Sequence, residues 1–230
     1  MFRELLAVLQ SKDPLRRMYN DLISMVDQAR RMLQIVWQEA VSGPPGEPLR
    51  GELRAMDIEI NKTERAIRKG LVEYGATHGW GDLPACLALM SVVKDAERLG
   101  DYCKQMLDAA ARQEQGLSRC GSYAGFQAVY EEIVRMFDRT SRALAASDTP
   151  LAQEVMLTER DVSRRCEALL DGLITEDIPA RQSIPWALMT QHLTRLAGHL
   201  SNIASSLVMP LHKIDYHDKD ILRRLGAEGD

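Results

Sequence analysis

Residues 91–107 read SVVKDAERLGDYCKQML, and the spacing of their apolar side chains decides the fold. Val92, Ala96, Leu99, Cys103 and Met106 recur at three- and four-residue steps, widened by Val93, Gly100 and Leu107 and continued by Ala110. A backbone turning every 3.6 residues gathers such positions on one face, whereas a half-buried strand would need strict alternation. Asp82 and Pro84 supply an opening signal, so the stretch predicts a helix ending near residue 114.

The same pattern recurs on both sides. Upstream, Asp13-Pro14 offers an N-cap and an early proline for a helix whose row is Met18, Leu22, Met25, Ala29, Met32 and Val36, closed near residue 42 by SGPPGEP. A second helix, about 49–73, carries Leu53, Met56, Ile60, Ile67 and Leu71 before GATHGWGDLP breaks it. Downstream of QGLSRCGSYAG, a helix over 123–146 bears Phe126, Val129, Ile133, Met136 and Ala143. SDTP (147–150) caps a fifth with Val155, Val162, Cys166, Leu169 and Leu173. DIPARQSIP leads to a sixth, about 184–208, with Met189, Leu193, Leu196, Leu200, Ile203 and Leu207.

That last row is the third helix's row moved by 97 positions, with Arg98-Leu99 returning as Arg195-Leu196. The second and fifth helices superpose at a shift of 102. Such self-similarity marks an internal repeat. The expected fold is therefore all-α: two tandem three-helix repeats forming an elongated antiparallel helical bundle. Residues 1–12 are an N-terminal amphipathic segment, 13–116 the first repeat, 122–209 the second, and 210–230 a C-terminal tail.

Composition excludes several functions. A chain of 230 residues with 45% hydrophobic residues can bury a substantial core, and a formal charge of −4 argues against general affinity for nucleic acid or an anionic membrane. No apolar run reaches the roughly 20 residues of a membrane-spanning helix, so any membrane role comes through a partner. Cys86, Cys103, Cys120 and Cys166 form no C-x-x-C pair, and MFRELLAVLQ lacks the apolar core of a signal peptide. A reduced, cytoplasmic protein is expected. Trp37, Trp80 and Trp186 read as packing anchors, and GATHGWG lacks the strand context of a phosphate loop.

Glu97 and Asp101 stand four residues apart on one margin of the buried row, with the small Gly100 between them admitting a close neighbour. Asp57, Asn61 and Glu64 repeat that geometry on the second helix. Carboxylates gathered at a seam repel unless protonated or neutralised, and hard oxygen donors suit Mg, Ca, Mn or iron. The competing reading is ordinary: Glu97 and Asp101 pair with Lys94, Arg98 and Lys104 on a solvated face. A carboxylate-bridged di-metal oxidase would require Glu-x-x-His motifs, and the chain contains none.

MDIEINKTERAI, followed some thirty residues later by VVKDAERLGDYCKQM, resembles the first repeat of a PhoU domain, the helical regulator of phosphate uptake. The resemblance covers about residues 15–208 and is most specific in D-x-E-R-L-G-D at 95–101. It implies two three-helix repeats, a non-enzymatic role, contact with a phosphate transporter or sensor histidine kinase, and paired E(D)-x-x-x-D motifs that bind metal. Its implied ligands are Asp57, Asn61 (standing where the family has an acid), Glu97 and Asp101, for an ion such as Fe, Mn, Mg or Zn. A metal-free helical adaptor remains the alternative, and a homodimer is compatible with either.

The second repeat departs from that pattern. It keeps Glu159 but has Ser163, Thr194 and Gly198 at the other ligand places, with His199 still matching. One metal site at most is expected. His192 and His199 read as hydrogen-bonded structural histidines, and the tail cluster of His212, Asp215, His217 and Asp218 as a solvated segment.

Overall fold

Every apolar row becomes the buried face of a helix. The computed structural model describes residues 14–78, 81–175 and 177–215, and its described residues form six α-helices: α1 Pro14–Ser42, α2 Glu47–His78, α3 Leu83–Ala110, α4 Tyr123–Ala146, α5 Thr149–Thr175 and α6 Ala180–Val208. Short 3-10 turns at Leu117–Arg119 and Leu211–Lys213 complete them. The N-terminal segment, Asp13, Trp80 and the tail beyond residue 215 lie outside the described residues.

Helix ends differ from expectation where local chemistry outweighs the breaker residues. α2 runs through Gly75 to His78, because the Thr77 hydroxyl donates to the carbonyls of Glu73 (3.0 Å) and Tyr74 (3.2 Å) and keeps the last turn wound. α6 begins at Ala180 and carries Pro185 inside it, where the missing N–H costs one bond near an already unpaired helix start. α3 stops at Ala110, short of residue 114, where the Gln113 side-chain amide reaches back to α1 and donates to Ala40 O (2.8 Å) and Gly43 O (3.0 Å). Asp82 does not cap α3; it accepts the Tyr74 hydroxyl at 2.8 Å.

The α4–α5 turn divides the expected cap between two residues. Ser147 takes the left-handed conformation that ends α4 (φ 51°, ψ 43°), and Asp148 Oδ1 accepts the Leu151 N–H at 3.0 Å to start α5. Asp148→Ala is expected to cost about 1 kcal/mol, read as a lower urea midpoint.

Packing follows the repeat. Within the first unit α1, α2 and α3 pack on one another; within the second, α4, α5 and α6 do the same. The units join through α1 against α4 and α3 against α6, the pairs that the internal repeat exchanges, while α2 and α5 flank their own units from outside. One apolar core runs through both, from Leu22 and Met32 through Leu99 and Phe137 to Leu200. All four cysteines are buried in it. Trp37 acts as expected of an anchor, stacking on Tyr130 at 4.5 Å and donating to Gln127 Oε1 at 2.9 Å. No described helix is long and apolar enough to cross a membrane.

Candidate functional site

The seam between α2 and α3 holds the four residues singled out above. Ile60 and Leu53 point α2's apolar face at α3, and Gly100 lets the two approach: a Cβ there would lie 3.0 Å from Ile60 Cδ1 and 3.7 Å from Asp57 Oδ1. This apolar packing carries Asp57 and Glu97 inward, to 5% and 6% exposure, and leaves Asp101 partly buried.

Lysine supplies the positive charge. Lys104, one turn beyond Asp101 on α3, donates to Asp57 Oδ2 across the seam at 2.7 Å and lies 3.2 Å from Asp101 Oδ1. The Asn61 amide donates to both Asp57 Oδ2 (3.1 Å) and the Asp57 carbonyl (3.0 Å). Both partners are acceptors, which fixes Asn61 with its NH₂ toward Asp57. Lys94 Nζ lies 2.7 Å from Glu97 Oε2, close enough for an ion pair although not aligned as a hydrogen bond. Arg98 reaches Asp101 Oδ2 at 3.4 Å, and Glu64 is bound to Arg68 at 3.0 Å instead of joining the group.

The structure thus brings Asp57 and Asp101 together on one ammonium, with Asn61 holding Asp57, and leaves Glu97 with its own lysine. All three pairings of the ordinary reading form, but Glu97 itself is buried while Asp101 and its basic partners stay half-buried or exposed. Among the described residues, no three His, Cys, Asp or Glu side chains are placed to hold a metal ion. Burial alone would lower the pKa of Lys104; its hydrogen bonds to Asp57 and Asp101, with their charges, outweigh this and hold it above the ordinary lysine value. A cation favoured on folding contributes stability that is fully present below that ordinary value and is lost as pH rises through the raised one.

At the equivalent place on α5 and α6, Glu159, Thr194, Gly198 and His199 line a shallow pocket of about 210 Å³. Glu159 accepts the Ser163 hydroxyl at 2.8 Å. His199 does not serve that pocket alone, because its Nδ1 meets Asp95 Oδ1 at 2.6 Å and its ring stacks on Tyr102. Asn202 donates to the same Asp95 oxygen at 2.9 Å. Asp95, 8% exposed, is therefore a polar link between the two repeats, and sequence reasoning missed it. The signal was available: an acid three residues after Val92 and four before Leu99 stands inside the apolar row and requires a partner. His192, half-buried, is held below the ordinary histidine pKa by desolvation. His212 and Asp215 of the tail cluster are described but join no metal-holding group; His217 and Asp218 lie outside the described residues.

The sequence profile of the PhoU domain matches residues 15–110 and 127–207. Two solved structures share the fold. The phosphate transport system regulatory protein PhoU from Streptococcus pneumoniae aligns at TM-score 0.72 with 15% identity, over 89% of this chain and 96% of that one. PhoU from Pseudomonas aeruginosa aligns at 0.68 with 22% identity, over 92% and 99%. No curated protein sequence matches the chain.

Proposed function

Because this chain belongs to the PhoU domain family, we propose that it regulates phosphate uptake, binding a phosphate transporter or its sensor histidine kinase on the cytoplasmic side. The observation that supports this is the profile match over both repeats, 15–110 and 127–207, so that neither half is a remnant of another domain. The role is one of contact and not of catalysis: Asp57 and Glu97 are each tied to a lysine, and a buried acid so paired is a poor general base.

Contact surface is available on the helices that flank each unit from outside. α2 and α5 pack mainly within their own repeats, so their outward faces are not needed to hold the units together. Tagged full-length protein, recovered from its native cells under low and high phosphate, should enrich transporter subunits or a membrane sensor kinase. Enrichment of neither, under both conditions, would sink the reading.

A further inference from the structure

We infer that Lys104 takes the place of a metal ion in the α2–α3 seam, so that this protein's carboxylates are neutralised by its own side chain and the seam assembles without metal. The donor set the family resemblance points to does not suit a cation here. Asp57 Oδ2 already accepts from Lys104 at 2.7 Å and from Asn61 at 3.1 Å. Asp101 Oδ1 lies 3.2 Å from the same ammonium. Asn61 presents hydrogens, not its oxygen, to Asp57. What remains is two buried oxygens without a hydrogen bond, Asp57 Oδ1 and Glu97 Oε2, and the second already lies 2.7 Å from the Lys94 ammonium, so the pair is not a coordination sphere. An incoming ion would have to displace an ammonium that the α3 backbone keeps at the site whatever the solution contains.

The second repeat is an internal control. The shift of 97 that carries Glu97 to Thr194 and Asp101 to Gly198 also carries Lys94 to Gln191 and Lys104 to Ser201. Where the α3 acids are lost, both lysines are lost with them. A lysine present only for solubility would have no reason to follow the acids; a counter-ion would. Ser201 is fully buried and its hydroxyl finds no partner, so position 201 carries no counter-ion where Lys104 stands in the first repeat.

This inference is independent of the regulatory reading, because it concerns metal content and stability and not partners. Full-length protein purified without chelator or nickel resin should carry no stoichiometric metal, and EDTA or millimolar Mn²⁺, Fe²⁺, Zn²⁺ or Mg²⁺ should leave its melting temperature unmoved. Lys104→Met should lower that temperature by on the order of 5 °C, and adding Asp57→Asn should restore part of the loss, since both charges are then gone. Stoichiometric metal that disappears in Asp57→Asn or Asp101→Asn would overturn the proposal. So would a cycle in which the effects of Asp57→Asn and Lys104→Met simply add. If Lys104→Met does not fold, the metal assay on the unaltered protein still decides the matter.

Discussion

Phe137→Ala is expected to lower the unfolding free energy by about 3–5 kcal/mol, the range for deleting a buried aromatic ring from a packed core. Phe137 is 0% exposed and lies on α4, the helix that meets α1 of the other unit as well as α5 and α6 of its own. The neighbouring side chains are anchored by three other helices, so little of the void can collapse. For a chain of this length the melting temperature should fall by roughly 10 °C. Calorimetry or a circular-dichroism melt measures it directly. Val72→Ala, at a position 66% exposed on α2, is the matched control and should stay within about 0.5 kcal/mol. A loss below about 1 kcal/mol at Phe137 would mean that the core relaxes around the missing ring, contrary to the packing described.

Gly116→Ala should be nearly as damaging, for a different reason. Gly116 has φ −58° and ψ 149°, angles open to any residue, so its backbone needs no glycine. Its neighbours do. A Cβ at this position would run into the Val41 carbonyl oxygen and would lie 2.7 Å from Ser42 C and 2.8 Å from Ser42 O. These are main-chain atoms, and they cannot swing aside. The approach is held by three hydrogen bonds, the Gln113 side chain to Ala40 O and Gly43 O and the Ser118 hydroxyl to Val41 O at 2.8 Å. The alanine must push the end of α1 away from the loop after α3, at a cost of roughly 3 kcal/mol. Gly70→Ala offers the contrast: the atoms nearest its Cβ all belong to the Met18 side chain, whose flexible thioether can turn away. The gain in helix propensity offsets that adjustment, and the net change should be under about 1 kcal/mol. Denaturant unfolding of the two variants side by side separates backbone contact from side-chain contact. Equal effects would refute the argument.

Much of the fold was legible in the sequence, because each helix is specified twice: by an apolar row with a 3.6-residue period and by the turn residues that interrupt it. Met18 to Val36, Val92 to Ala110 and Met189 to Leu207 are all buried as their spacing required. The two-repeat architecture followed from comparing those rows, since the shift that superposes α3 on α6 also matches the helices that pack together. Errors fell at helix ends. The spacing starts the sixth helix at Pro185's own turn and ends the second before Gly75, yet near a terminus a proline or glycine removes too little to stop a helix that packing supports.

The candidate site was legible only as residue types and faces. Helical spacing placed Glu97 and Asp101 on the seam margin and Asp57 and Asn61 opposite, and it named Lys94, Arg98 and Lys104 as partners within reach. Period and composition are properties of a single segment, so the sequence by itself determined the class of fold, the number of repeats and the sign of charge along each helix edge. Which charges meet is a property of two segments. Lys104 on Asp57, 47 residues away, and His199 with Asn202 on Asp95, more than 100 residues away, exist because Gly100 and Ile60 set how closely α2 approaches α3, and because α3 lies against α6. Distances of about 3 Å depend on helix separation and rotation, which only the packed core decides.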